Sequence, residues 1–225
     1  AERAAIYDEM NRVIAALHSV DFAAIGLADY GKPGSYFERQ IGRWSKQYQA
    51  SITEPIEAMD RLIEWLPAHI PDSARDASQT GIVHGDYRLD NLVFHPSEPR
   101  ILAVLDWELS TLGHPLADFS YHCMSWHIPP GAFRGIGGLD LAALGIPSER
   151  DYIALYAARR GLAADALVTD WNFYLAYNLF RMAGILQGIA KRVEDGTAAS
   201  EQARQAGAGA RPLAEMGWAM AQKMR

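Results

Sequence analysis

The chain has 225 residues, 49% of them hydrophobic and 21% charged, which supports a folded core and excludes a disordered polymer. Its formal charge is −6 and its basic residues are scattered, which excludes the footprint of a nucleic-acid binder. No apolar run approaches the roughly 20 residues a membrane span requires, no signal-peptide pattern opens the chain, and the lone cysteine, Cys123, excludes an intrachain disulfide. A cytoplasmic protein with no membrane or nucleic-acid partner is the expectation. The text from Ala1 lies already inside an amphipathic pattern and has no initiator methionine, so the chain reads as a piece of something longer.

Ile6, Met10, Val13, Ile14 and Leu17 recur at helical spacing and predict a helix over 3–18, closed by His18-Ser19. After a loop containing Gly31, Pro33 and Gly34, the residues Tyr36, Phe37, Ile41 and Trp44 predict a second helix. Pro55 suits the first turn of a third, carrying Ile56, Met59, Ile63 and Leu66 until Pro67 and Pro71 stop it. The character changes at Gly81: Ile82-Val83, Leu92-Val93-Phe94 and Ile101 to Leu105 are short β-prone runs bounded by Gly, Asp, Asn and Pro. Leu116 to Met124 predicts a helix, and the Gly- and Pro-rich text from Ile128 to Pro147 an irregular excursion. Ser148 and Asp151 resemble a capping box opening a helix to about Arg160. Helix is then expected from Asp165 to Arg192, a loop or weakly held helix from Gly196 to Ala210, and a last helix from about Pro212.

The chemistry-bearing text is His84-Gly-Asp-Tyr-Arg-Leu-Asp-Asn91 between two strand runs, with Asp106-Trp-Glu108 ending a third. A loop between strands sets Asp86 and Asn91 on one side of a turn, and Asp106 joins them from the next strand end. Phosphoryl transfer needs such a set: an acceptor hydroxyl held in line, a carboxylate to take its proton, and hard oxygen ligands for magnesium. On this reading Asp86 stays free as the base, Asn91 and Asp106 bind magnesium and the nucleotide it carries, and Glu108 reaches a second ion directly or through water. The bland reading makes Asp86 and Asn91 turn residues and Asp106 a strand-end cap.

The His-x-Asp-x-x-x-x-Asn spacing is that of the protein-kinase catalytic loop. With Asp106-Trp-Glu108, it resembles the aminoglycoside phosphotransferase and choline kinase superfamily. Gly113-His-Pro-Leu-Ala-Asp118, Trp171-Asn-Phe-Tyr174, Phe180-Arg-Met-Ala183, Leu17-His-Ser-Val-Asp21 and Tyr30-Gly-Lys-Pro-Gly34 resemble the phosphotransferase domain fused to acyl-CoA dehydrogenases in animals. The resemblance implies an α+β, mostly helical fold: a protein-kinase-like C-terminal lobe with a few short strands around the catalytic loop and the N-terminal lobe absent from this chain. It implies a single domain over 1–225, with a helical lead-in (1–80), catalytic and metal-binding loops (81–109) and a helical substrate-side part (110–225). ATP and Mg2+ are the implied cofactors and a small hydroxylated molecule, such as a hydroxyacyl-CoA, the implied substrate. Asp86 corresponds to the catalytic base, Asn91 and Asp106 to the magnesium ligands, and Arg88 to a position where protein kinases often carry a phosphate-contacting lysine. An antibiotic kinase and a non-catalytic binding module are the rival readings.

Other residues have two readings each. His84 is either a base or a packing residue beneath the loop, the latter implied by the resemblance. Arg88 either contacts phosphate or pairs with Asp90 or Glu108. Asp118 is expected to hold backbone N–H groups of the catalytic loop. His114, His122 and His127 invite a zinc site, but not at the spacing of a helical ligand pair. Trp126, Tyr174 and Arg181 either line the acceptor pocket or belong to the core.

Overall fold

The structure is a computed structural model that describes residues 2–32, 34–131, 135–198 and 200–224. Pro33, and residues 132–134 of the expected excursion, lie outside the described residues. The helices in chain order are α1 (Glu2–His18), α2 (Tyr36–Gln49), α3 (Glu57–Ala68), α4 (Asp72–Arg75), α5 (Pro115–Cys123), α6 (Leu141–Leu144), α7 (Glu149–Arg160), α8 (Ala164–Thr169), α9 (Trp171–Glu194), α10 (Glu201–Ala208) and α11 (Ala210–Ala221). The strands are β1 (Gly81–Val83), β2 (Leu92–Phe94), β3 (Ile101–Val104) and β4 (Thr111–Gly113). The fold is mostly helical with a few short strands. No helix among the described residues is long and apolar enough to cross a membrane.

Two compact units divide the chain, one from Ala1–Gly34 with Ala77–Trp171 and the other from Ser35–Asp76 with Asn172–Arg225. All four strands lie in the first. β1 pairs antiparallel with β4, Ile82 opposite Leu112, and β2 pairs antiparallel with β3, Leu92 opposite Val104. The partner of β1 was not expected from the sequence, because Thr111-Leu-Gly113 is too short to show any alternation. Gly31 sits against this strand: a Cβ there would lie 2.7 Å from the Leu112 backbone nitrogen, so only glycine lets the 21–34 loop approach.

The α1 face that turns inward departs from its apolar stripe, since Asn11 and His18 are buried with Met10 and Ile14 while Val13 and Leu17 are only half-buried. Asn11 explains its burial by donating to the Tyr152 carbonyl (2.9 Å) and accepting from Arg159 (2.9 Å), which ties α1 to α7. The α7 N-terminus is capped as expected, Ser148 Oγ accepting from the Asp151 N–H at 3.2 Å. Phe119 of α5 stacks on Tyr156 of α7 with ring centroids 3.9 Å apart, and Trp126 packs on Tyr152.

In the second unit Phe37 of α2 meets Phe173, Tyr174 and Tyr177 of α9 at centroid distances of 5.0–5.6 Å. Gly217 of α11 lies against Leu62 of α3 and Leu179 of α9. Three sequence expectations are corrected here. Helix α3 begins after Pro55 and contains Pro67, one residue before its end, where a missing N–H costs one terminal hydrogen bond rather than an interior one. Its inward face is Ala58, Met59, Leu62 and Leu66, not Ile63. The helix expected from Asp165 to Arg192 breaks at Asp170, whose ψ of 15° ends α8 before α9 begins. The Gly196–Ala210 text, for which a loop or a weakly held helix was expected, carries helix α10, with Ser200 Oγ capping the Ala203 N–H at 3.1 Å.

His122 is fully enclosed in the first unit, within 2.9 Å of the Tyr152 hydroxyl, and burial depresses its pKa to about 4 against the opposing charge of Asp118. The folded protein therefore resists a proton that the unfolded chain takes up below about pH 6.5. Stability should be complete above that pH and decline as pH falls towards about 4, by on the order of 3 kcal/mol from this residue. Urea unfolding at pH 7.5 and pH 4.5 should show the decline, and His122→Gln should make it smaller by about that amount. An unchanged slope in the variant would assign the acid sensitivity elsewhere.

Candidate active site

The loop after β1 is held by one buried carboxylate. Asp118, in the first turn of α5, accepts the His84 N–H at Oδ2 (2.6 Å) and the Gly85 N–H at Oδ1 (2.8 Å). His18 Nε2 reaches the same Oδ2 at 3.2 Å, and His18 Nδ1 meets the Tyr156 hydroxyl at 2.7 Å. Burial alone would push the Asp118 pKa up, but the donors from His18, His84 and Gly85 outweigh it and hold the carboxyl below its usual range. Burial pushes the His18 pKa down despite Asp118 beside it, so the imidazole is neutral. An ionised Asp118 only accepts, so Nε2 carries the His18 proton and Nδ1 accepts from Tyr156 O–H.

His84 lies beneath the loop, completely buried. Its Nδ1 accepts the Asp86 N–H (3.2 Å) and its Nε2 donates to the Leu105 carbonyl (2.9 Å), while its ring meets Trp107 edge-on at 4.8 Å. Both imidazole nitrogens are thus engaged with backbone, and the histidine is a spacer rather than a base. Gly85 adopts φ +85°, and a Cβ there would stand 2.7 Å from the Leu109 carbonyl oxygen, so the chain turns here only because the residue is glycine.

Asp86 and Asn91 are brought together by the turn between them. Asn91 Nδ2 donates to the Asp86 carbonyl (2.9 Å) and to Asp86 Oδ2 (3.0 Å), which directs both amide hydrogens at Asp86 and leaves Asn91 Oδ1 as the acceptor side of the group. Leu105 N–H donates to the Asn91 carbonyl at 2.8 Å, extending the β2–β3 ladder by one bond. Leu105 is therefore fixed at both its N–H and its C=O by the loop, and Asp106 follows it directly. Asp106 has φ 68° and ψ 58°, a left-handed conformation that costs a non-glycine residue about 1 kcal/mol or more and clusters at functional sites. Its carboxylate is exposed, as is Glu108 in the single turn that follows. An amide oxygen and two exposed carboxylates are the hard-oxygen donor set that suits magnesium, so the residues present fit that ion.

The carboxylate of Asp86, expected to stay clear of the metal as the base, has protein partners of its own. Tyr121 of α5 donates its phenolic hydrogen to Asp86 Oδ1, and Arg88 Nε lies 3.3 Å from Oδ2. The partner of Arg88 is thus Asp86, not Asp90 or Glu108. Tyr121, His18 and Tyr156 were not singled out from the sequence. One signal was present: Asp118 and Tyr121 are three apart on a helix, so they share the face turned to the loop. His114 caps α5 by accepting the Leu116 N–H, His122 bonds Tyr152, and His127 pairs with Glu149 at 2.8 Å. Tyr174 and Arg181 are buried in the second unit, Arg181 over the Trp44 ring at 5.4 Å, and Trp126 is buried in the first.

Residues 1–162 match the family described as the phosphotransferase enzyme family. The chain belongs to that family. It is 46% identical over 225 residues to acyl-CoA dehydrogenase family member 10 of Mus musculus, covering 99% of this chain and 20% of the mouse protein. A crystal structure from Ralstonia eutropha, provisionally assigned as an aminoglycoside phosphotransferase, superposes with TM-score 0.94 and 69% identity over 99% of this chain and 66% of its own. An amicoumacin kinase solved in complex with AMP-PNP, Ca2+ and Ami shares the fold alone, at TM-score 0.55 and 14% identity over 96% of this chain and 59% of its own. The chain thus spans a fifth of the mouse relative and just under two thirds of the Ralstonia protein.

Asp118→Ala removes the acceptor from three buried donors at once, each costing roughly 1–3 kcal/mol when left unpaired. The expected loss of unfolding free energy is at least about 3 kcal/mol by urea titration. A change below about 1 kcal/mol would mean that the loop is held by its other contacts.

Proposed function

We propose that the protein carrying this chain is an ATP- and magnesium-dependent phosphotransferase acting on a hydroxyl group of a small metabolite. The observation that carries the reading is the Leu105–Asn91 backbone bond, which seats Asp106 beside the Asn91 that itself holds Asp86. Asp86 takes the acceptor proton, Asn91 and Asp106 would hold Mg2+ with Glu108 nearby, and Arg88 brings a positive charge to the phosphate side of Asp86. Bound magnesium supplies neutralisation of phosphate charge. The nucleotide analogue and divalent cation in the amicoumacin kinase support the cofactors.

The acyl-CoA dehydrogenase relatives support a hydroxyacyl-CoA as the acceptor. The assignment of the Ralstonia structure favours a second reading, an aminoglycoside acceptor. ATP consumption with Mg2+ and either 3-hydroxybutyryl-CoA or kanamycin separates them, and consumption of neither above the no-acceptor rate would favour a non-catalytic module.

Asp86→Asn should lower kcat about 10²- to 10⁴-fold with nucleotide affinity nearly intact, because a base acts at the reacting centre. Asp106→Asn should weaken nucleotide binding as well and recover part of its activity as magnesium is raised. Steady-state kinetics over a magnesium titration reads both, and wild-type turnover in Asp86→Asn would remove the base assignment.

A further inference from the structure

We infer that Tyr121 is a positioning residue for this reaction, aligning the Asp86 carboxylate so that Oδ1 is the atom that receives the acceptor proton. The inference rests on the function proposed above. An ionised carboxylate offers about four acceptor sites, two on each oxygen. Oδ2 of Asp86 carries the Asn91 amide at 3.0 Å and faces the Arg88 Nε at 3.3 Å. Oδ1 carries the Tyr121 hydroxyl. Among the described contacts Oδ2 thus faces two donor groups and Oδ1 one, which leaves Oδ1 the less occupied oxygen.

Tyr121 holds its place through α5. The helix is anchored to the loop backbone by Asp118, one turn earlier on the same face, so the phenol reaches a carboxylate whose main chain is already pinned by His84. Tyr121 is buried and the Asp86 side chain is 16% exposed, so the open side of the carboxylate is narrow. A carboxylate held only on Oδ2 would rotate about its last bond. With Tyr121 on Oδ1 the plane is set from both ends, and the remaining lone pair has one direction. In the step, the acceptor O–H gives its proton to Oδ1 while its oxygen bonds the γ-phosphorus of ATP. The bond from the γ-phosphorus to the β,γ-bridging oxygen breaks, and ADP departs with that electron pair.

The test is a double-mutant cycle in the full-length protein, with wild type, Tyr121→Phe, Asp86→Asn and the double variant. Turnover is read as Mg·ATP consumption with whichever of 3-hydroxybutyryl-CoA or kanamycin is the better acceptor, or with water alone if neither is used. Tyr121→Phe keeps the ring and removes only the hydroxyl. It should lower kcat about tenfold with the nucleotide KM within about twofold, and the double variant should match Asp86→Asn, because a misaligned carboxylate matters only while the carboxylate is the base. Unchanged kcat in Tyr121→Phe, or losses that multiply in the double variant, would overturn the inference and leave the function standing. Wild-type turnover in Asp86→Asn would instead overturn the functional reading. A second cycle needs no ligand: Tyr121→Phe should lower the thermal midpoint in the wild-type background and leave it unchanged in Asp86→Ala. Equal shifts in both backgrounds would show that the phenol does not act through Asp86.

Discussion

A carboxylate removed from water remains an anion only where donors replace the solvent, and at Asp118 three groups do so: two successive backbone N–H groups of the His84–Asn91 loop and the His18 imidazole. The desolvation of such a group costs several kcal/mol, so the arrangement is stable only as a complete set. Each member belongs to a different part of the first unit. His18 ends α1, Asp118 opens α5, the N–H donors follow β1, and Tyr156 of α7 fixes the His18 tautomer. The loop geometry is therefore a property of the whole unit rather than of the eight residues that spell it.

From that anchor the site is assembled by hydrogen bonds that leave little freedom. His84 joins the loop to the strand end by bonding the Asp86 N–H on one side and the Leu105 carbonyl on the other. The Leu105 N–H returns to the Asn91 carbonyl. Asp86, Asn91 and Leu105 thus sit on one connected network, with two left-handed residues, Gly85 and Asp106, at its ends. Only the glycine adopts that conformation without cost. Charge placed this way needs no reorganisation when a reaction develops charge of its own, which is the physical advantage of a rigid site.

The second unit contributes a different kind of order. Its α2, α3, α9 and α11 are held by aromatic and aliphatic packing, with Phe37 at the centre of a ring of α9 aromatics. Tyr174 and Arg181, which share a helix with these rings, are consumed by that packing, the arginine stacking on Trp44. Buried aromatics at helical spacing contribute stability through area and ring geometry, and the same spacing makes them poor indicators of a ligand pocket.

The sequence by itself determined the elements whose signal is local. The helices α1, α2, α5 and α7 follow from apolar spacing and a capping Ser148, and β1 to β3 from short β-prone runs between turn residues. The His84–Asn91 and Asp106–Glu108 text marked the candidate site, because residue type and spacing are what a loop between strands shows in sequence. The contacts made at long sequence separation were decided only by tertiary structure. Strand β4 has three residues and no pattern of its own, and it exists because β1 lies beside it. His18 reads as a helix terminus until α5 carries Asp118 to it across 100 residues of chain. Arg88 turned to Asp86 and Tyr121 closed on the same carboxylate for one reason: a buried or half-buried polar group takes whichever partner packing brings within reach, and packing is not written in neighbouring residues.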